Sequence, residues 1–373
     1  MQQVLFSIPP ETGLPVYGFG IMLLIAISTA AWLAGRRAEA EGIGNRDSLY
    51  DFFVWVVLGG LIGARLLFVI LFPEPGNPIL NFFRIWDGGI VFYGSAIGGM
   101  IAGIIARRRF LSKFNISIFT LADVVAPSIA IGLCLGRIGC FLNGCCWGHV
   151  ACPECVAAHF PLMTTPAREM VRDYQTSAGF AMDPRADDER TVGAVEPDSA
   201  AVGSGLEPGD VIVGMDGKPL ADYRDLTATL RDWPRGKKDV TLTVRRGTQE
   251  LVLPPYIPRT VGLVPTQIYE SISMFLVFLV LLALYPLRKY DGQVMVVLML
   301  CYAVHRFFNE TLRNDTPSYY IDLLGAHIPL GLTFSQWISI LIFASGVALH
   351  LWRRRHPLQA GGAAGNKPIA KPA

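Results

Sequence analysis

Long apolar runs alternate with short polar or basic connectors along the chain, and the pattern changes character once. Crossing a bilayer takes roughly 20 apolar residues at 1.5 Å rise each. Seven segments qualify, at about 16–34, 50–72, 88–106, 117–136, 267–286, 293–309 and 333–352. The third and fourth are rich in Gly, Ala and Ser, whose small side chains let helices approach closely in lipid. The sixth is the shortest and carries Arg306 near its end. From Thr191 the pattern switches to short β-branched runs punctuated by Pro-Gly-Asp, Asp-Gly and Arg-Gly turns, with one helical stretch at 222–232. The expected architecture is an all-α polytopic membrane protein of about seven transmembrane helices carrying a small β-rich insert.

Composition agrees. Of the 373 residues, 52% are hydrophobic and 17% charged, against about 25% charged in soluble domains. Between Asp187 and Arg259 lie 23 of the 62 Asp, Glu, Lys and Arg residues, so the remainder is poorer still in charge. That excludes a uniform soluble globule and a disordered chain. A net charge of +2 is too small for a nucleic-acid binder.

Basic residues mark cytoplasmic loops. Arg36, Arg37 and Arg46 follow the first span, and Arg107, Arg108, Arg109 and Lys113 the third. Arg288 and Lys289 follow the fifth, and Arg353, Arg354 and Arg355 the seventh. The loops between carry only Arg84 and Arg313. Alternation predicts an external N-terminus, a cytoplasmic C-terminus and an external loop from about Arg137 to Pro265. The first span has no basic region before it and reads as an anchor, not a cleaved signal. Predicted divisions are a membrane core at 1–150, an extracytoplasmic connector at 151–187, the insert at 188–258, the rest of the core at 259–356 and a disordered cytoplasmic tail at 357–373.

Cys145, Cys146, Cys152 and Cys155 lie on or beside the external loop. The Cys152-Pro-Glu-Cys155 spacing suits a disulfide on an oxidising face. Two cysteine pairs also suit a tetrahedral zinc set, but neighbouring Cys145 and Cys146 are poorly spaced to chelate one ion together. The expectation is a disulfide or reduced thiols, with no metal and no cofactor. Within the insert, the run SGLEPGDVIVGMDGKPL resembles a PDZ domain of the bacterial envelope type over about 65 residues. Such domains take an extended peptide on a sheet edge; a spacer without a ligand is the alternative.

Ionisable groups inside a span cost at least ~2.5–3.5 kcal/mol each at mid-depth and are functional candidates. They are Arg65, Asp123, Arg137, Arg306 and Glu310, joined by Tyr17, Tyr93, Tyr269 and Tyr302. The predicted topology gathers most of them in the outer half of the bilayer. Tyr17 opens the first span, Tyr93 lies ~8 Å into the third, and Arg137 ends the fourth. Gln267, Tyr269 and Glu270 open the fifth, and Arg306 and Glu310, one helical turn apart, close the sixth. Two arginines at headgroup depth suit the phosphate of a phospholipid, because the planar guanidinium fork stays charged and binds in two-pronged fashion.

Four motifs then stand in order: WDGGIVFYG from Trp86, GRIGCFLNGCCWG from Gly136, PTQIYES from Pro265 and RFFNE from Arg306. Together they resemble the prolipoprotein diacylglyceryl transferase family, over nearly all of the chain outside the insert. The resemblance implies a bacterial inner-membrane enzyme with phosphatidylglycerol and a lipobox-bearing prolipoprotein signal peptide as partners. The diacylglyceryl group passes to the cysteine thiol and glycerol phosphate leaves. It implies that Arg137 and Arg306 hold the phosphate, while Tyr17, Asn143, Gly148, Tyr302 and Glu310 shape the pocket. Arg65, Gln267 and Tyr269 join them as polar groups of the spans.

The chain departs from the family pattern in three ways. Tyr93 stands where well-known members have His, and is the candidate base or proton relay, though a phenol pKa near 10 suits a base poorly. Cys140 and Cys145 replace the Asn and Glu of the family signature, and the PDZ-like insert is not usual. An inactive relative that binds lipid or precursor is the competing reading. A PDZ-bearing intramembrane protease is not supported, since HExxH and Gly-x-Gly-Asp are absent.

Overall fold

The computed structural model describes residues 4–8, 14–42, 46–71, 73, 78–83, 92–111, 117–152, 154–161, 178–197, 199–231, 237–260, 262–313, 320–323, 326–329 and 331–356. A hairpin of β1 (Val4–Ile8) and β2 (Leu14–Tyr17) precedes helices α1 (Gly18–Ala40), α2 (Arg46–Leu71), α3 (Pro78–Phe83), α4 (Phe92–Ala106) and α5 (Ile118–Asn143). The insert contributes β3 (Phe180–Met182), β4 (Val192–Val195), α6 (Ala200–Gly203), β5 (Val211–Met215), β6 (Lys218–Pro219), α7 (Tyr223–Arg231), β7 (Leu242–Arg246) and β8 (Gln249–Val252). Helices α8 (Thr266–Leu284) and α9 (Gln293–Thr311), a hairpin of β9 (Tyr320–Leu323) and β10 (Ala326–Pro329), and α10 (Phe334–Arg355) complete the chain.

Five described helices are long and apolar enough to cross a membrane: Gly18–Ala40, Asp47–Leu71, Ile118–Asn143, Thr266–Leu287 and Ser335–Arg355. This is fewer than the seven expected spans. The described part of α4 is 15 residues and runs on into a π-helical turn at Arg107–Leu111. Helix α9 has 19 residues, but His305, Arg306, Asn309 and Glu310 crowd its last two turns. The apolar faces turn outward, with Leu24, Leu58, Ile70, Leu276 and Leu341 all exposed. Such surface belongs in lipid, not water.

The chain divides into two compact units. One comprises residues 26–132, 275–302 and 342–373. In it α2 and α4 meet along a glycine seam. A Cβ on Gly63 would lie 2.3 Å from the Gly94 carbonyl oxygen, and one on Gly98 would lie 2.3 Å from that of Gly59. Glycines four apart on both helices therefore set this contact, as small-xxx-small pairs do in bilayers. Asp123, fully buried, accepts hydrogen bonds from the backbone N–H groups of Gly292 (2.7 Å) and Met295 (3.0 Å). Thr120 donates to Asp291 (2.8 Å), Arg353 donates to the Asp291 carbonyl (3.1 Å), and Arg288 pairs with Glu41 (2.6 Å). Arg37 and Arg288 stack on the Tyr285 ring, and Arg353 on Phe119.

The other unit comprises residues 1–25, 133–274 and 303–341. Its insert is an antiparallel sheet in the order β6-β5-β7-β8, with β3 and β4 as a second pair. Asp216 and Gly217, both at positive φ, make the two-residue turn that pairs Met215 with Lys218. Leu226 and Leu230, one turn apart on α7, bury against Phe180, Ile212, Leu242 and Val244. Arg246 pairs with buried Asp210 (2.7 Å), and Arg190 with Asp188 (2.8 Å). Residues 178–182, which lie before the expected start at 188, pack with the sheet-bearing body: β3 pairs with β4, and the Tyr256 hydroxyl donates to the Ala178 carbonyl. The predicted tail at 357–373 lies outside the described residues, as do 153 and 162–177 of the 151–187 connector.

Candidate active site

Helix α5 ends in a turn dictated by Gly144. Cys145 N–H donates to the Cys140 carbonyl (3.1 Å) and Gly144 N–H to that of Phe141 (3.2 Å), with Gly144 at φ 73°. This paired pattern reverses the chain at a left-handed glycine. The segment beyond then runs between two others. Gly148 N–H donates to the Val264 carbonyl (2.9 Å), His149 N–H to Leu312 (3.0 Å), and Gly148 bridges Arg313. A Cβ on Gly148 would lie 2.6 Å from the Leu312 oxygen and 2.7 Å from Val264 Cβ, so only glycine fits. From the first turn of α8, Thr266 Oγ1 donates to the Cys146 carbonyl and Gln267 Nε2 to that of Cys145, both at 2.7 Å.

This frame carries a cluster of charge. Arg137 Nε lies 2.9 Å from Glu270 Oε1, and Asn309 Nδ2 donates to Glu270 Oε2 (3.1 Å). Arg306 Nη2 pairs with Glu310 Oε2 (2.8 Å) across one turn of α9 and donates to Ser335 Oγ (3.1 Å). Arg313 approaches the same carboxylate at 3.9 Å, and Thr333 Oγ1 donates to Glu310 Oε1 (3.1 Å). Thr333 also caps α10 reciprocally with Gln336. Both carboxylates are buried. Arg306 Nη1 and His305 Nε2 are buried without a hydrogen-bond partner among the described residues. A buried guanidinium edge without an acceptor costs free energy unless something anionic fills it.

Of the candidates named from sequence, Arg137, Arg306, Glu310, Asn143, Gly148, Gln267 and Tyr269 fall in this unit, and Tyr17 ends β2 there, exposed. Gln267 is buried and occupied in holding the Cys145 carbonyl. Asn143, the last residue of α5, bonds the Cys145 sulfur. Tyr269 is partly exposed on α8. Arg65, Tyr93 and Tyr302 belong to the other unit. There Arg65 is buried and donates to the carbonyls of Asn81 (2.6 Å) and Phe82 (3.3 Å), closing the end of α3. Tyr93 is the second residue of α4, and its side chain lies outside the described residues, as do 86–91 of its motif. Sequence reasoning passed over His305, Asn309, Arg313 and Thr333. His305 had a signal, since it directly precedes Arg306 on an otherwise apolar helix; Thr333 had none.

Cys152 and Cys155 form a disulfide. Cys145 and Cys146 do not join them. Their sulfurs gather instead with that of Cys140, all three within 4.8 Å of one another. The thiols of Cys140 and Cys145 aimed at Cys146, with the guanidiniums of Arg313 and Arg137 nearby, hold the Cys146 pKa below the usual thiol range. A cavity of about 490 Å³ lined by His159, Ala178, Ser199, Tyr256, Arg259 and Thr260 lies apart from these groups, beside the insert.

Apolar helices of membrane-crossing length and a buried arginine–carboxylate network describe a polytopic membrane protein with a charged candidate site. The sequence profile of the family described as "Prolipoprotein diacylglyceryl transferase" matches residues 3–352, and the chain belongs to that family. It is similar to a phosphatidylglycerol–prolipoprotein diacylglyceryl transferase of Rhodopirellula baltica, 28% identical over 380 residues, 90% of this chain and 72% of that protein. It is also similar to the protein of the same name from Aeromonas hydrophila, 42% identical over 151 residues. That match takes in 39% of this chain and about half (52%) of the relative. Among solved structures, the PDZ domain of HtrA3 bound to a phage-derived ligand matches 23% of this chain and 86% of its own, at 25% identity. The TM-score is 0.19, too low to bear on the insert.

Proposed function

We propose that this chain transfers the diacylglyceryl group of phosphatidylglycerol to the lipobox cysteine thiol of a prolipoprotein, at the cluster built on Arg137 and Arg306. The observation that carries this reading is the buried Nη1 edge of Arg306, held in place by Glu310 and Ser335 and without an acceptor among the described residues. Glu270 steadies Arg137 in the same way. Carboxylates behind each guanidinium fix its fork before substrate arrives, so little reorganisation is required as charge develops. In the step itself a sulfur–carbon bond forms while the carbon–oxygen bond to phosphate breaks. Glycerol phosphate departs with the electron pair, and the arginines stabilise it. The thiol proton needs an acceptor, because the thiolate is the nucleophile. Tyr93 and His305 are the two candidates.

The remaining parts of the reading follow the charge pattern. The N-terminus and the insert face outward and the C-terminus faces the cytoplasm, in a bacterial inner membrane. The insert is a PDZ-like body that offers a sheet edge to a peptide of the envelope or of the precursor. The domain plan is a membrane core interrupted by this body.

The test is transfer of labelled diacylglyceryl from phosphatidylglycerol to a lipobox peptide in detergent. Removing one charge-stabilising donor from such a site typically costs about 2.7–4 kcal/mol, or roughly 10²–10³ in rate. Arg137→Ala should lose that much, and Arg137→Lys, which keeps charge without the fork, should fall between it and the parent. An Arg137→Ala protein that folds and turns over normally would overturn the assignment. A folded parent chain that transfers nothing would favour the inactive relative.

A further inference from the structure

We propose that Cys140, Cys145 and Cys146 form a three-thiolate site for one soft metal ion of the zinc class, with a fourth coordination position open. Their sulfurs lie within 4.8 Å of one another. A zinc–sulfur bond of ~2.3 Å places sulfurs ~3.8–4.0 Å apart around a shared ion, so the thiols need to close by less than ~1 Å.

The backbone brings the sulfurs together independently of any contact between them. The glycine turn at Gly144 returns Cys145 over Cys140. Vicinal residues in extended chain point to opposite faces, which argues against Cys145 and Cys146 sharing an ion. Cys146, however, is at φ 62°. That left-handed conformation costs a side-chain-bearing residue roughly 1–2 kcal/mol, and it removes the objection by turning the two side chains toward a common point. Thr266 and Gln267 hold the two carbonyls from outside, the kind of support that fixes ligands before metal arrives.

The number of thiols matters as well. A disulfide would pair two and leave the third over, whereas this same loop closes an ordinary pair at Cys152–Cys155. Three thiolates on a divalent ion carry a net negative charge, and the guanidiniums of Arg313 and Arg137 lie near enough to Cys146 to offset it. What fills the fourth position rests on the transferase reading: the precursor's own thiol. It would displace bound water, give its proton to the acceptor of that reading and be held as thiolate. Its sulfur then forms the bond to carbon as glycerol phosphate leaves, with no change of oxidation state.

The experiment uses the full chain, purified under reducing conditions in detergent. Zinc is measured by elemental analysis, and cobalt titration is followed by sulfur-to-metal charge-transfer absorption. The expected result is about one ion per chain, with affinity falling roughly tenfold or more in Cys140→Ser, Cys145→Ser and Cys146→Ser, and unchanged in Cys301→Ser. No charge-transfer band in the parent chain, or a disulfide between two of the three cysteines in fresh protein, overturns the site without recourse to any variant. Zinc bound in a chain whose transfer survives removal of the metal upholds the site and overturns the thiol's place on it. Zinc bound in a chain that transfers nothing upholds the site and overturns the transferase reading.

Discussion

Two buried charge clusters, one in each unit, are built from the same residue types and handled differently. Around Asp123 the charges are tied to main chain and rings. Both carboxylate oxygens accept backbone N–H groups, Arg353 donates to carbonyls, and three guanidiniums stack on aromatic faces. Around Glu270 and Glu310 the charges hold one another, through side chains on α5, α8, α9 and α10; among the described residues both clusters hold buried donors without a partner, Arg306 Nη1 and His305 Nε2 here, Arg37 Nε, Arg288 Nε and Arg353 Nη2 there. Backbone-anchored charge fixes structure, because it cannot be redirected without unravelling a helix end. Side-chain-anchored charge can be redirected toward a ligand by rotamer changes alone.

Paired substitutions break this comparison most directly. Asp123→Ala strips the acceptor from two buried N–H groups and a neighbouring guanidinium, and should destabilise by about 3–5 kcal/mol. Its melting temperature in detergent should fall sharply, while transfer per folded molecule stays normal. Arg306→Ala should do the reverse. Transfer should drop by roughly 10²–10³ with little change in melting temperature, since Glu310 keeps Arg313 and Thr333. If both variants lose stability equally and neither loses rate specifically, the distinction between the clusters is wrong.

A smaller effect sharpens the same contrast. Gly148→Ala forces a methyl against the Leu312 carbonyl and Val264, and overpacking of this kind costs about 1–3 kcal/mol. Because the displaced segments carry Arg313 and lead into α8, the expectation is a modest loss in melting temperature joined to a clear rise in KM. A change in stability alone would separate the segment from the site.

The smallest effect concerns the insert, whose charge pairs include the buried carboxylate of Asp210. Hydrogen bonds from Arg190 hold Asp188 below the usual carboxylate range. Burial works to raise Asp210, but its bonds from Arg246 prevail and its pKa is also lowered. A lowered folded-state pKa contributes stability that is complete above the ordinary carboxylate pKa of ~4 and lost as pH falls through the folded value. Hydrogen-exchange protection of β5 and β7 should therefore be flat from about pH 7 to 5 and decline below about 4. Protection that already falls near neutral pH would point to a different titrating group.

How much of this was legible in the sequence depended on the range of the signal. Apolar runs and glycine spacing are local, so α1, α2, α5, α8 and α10 could be read directly, and the Asp-Gly turn announced the β5–β6 hairpin. The pairing of Arg306 with Glu310 followed from helical periodicity. The partnership of Arg137 with Glu270 did not, since the residues lie on helices separated by the whole insert. Arg65 illustrates a different limit. An arginine inside a span reads as functional, yet it closes the carbonyl end of α3, a helix too short and apolar to be noticed beforehand. Cys140 was passed over as a cluster member because it lies within α5, and the turn that doubles the chain back onto it depends on Gly144 and on a left-handed cysteine that no propensity forecasts.

The glycine seam between α2 and α4 has a consequence for the order in which the molecule is assembled. The two helices are near neighbours in sequence, so closing the connection between them carries a small entropic cost, and their contact needs no residue from later in the chain. A hairpin of this kind can form as soon as both helices have entered the bilayer, ahead of α5 and well before α8 and α9 are synthesised. The arginine site, by contrast, draws on α5, α8, α9 and α10 and is among the last features to be completed. The helix hairpin of a newly made chain can thus form before its arginine cluster exists, which comes only with the final helices.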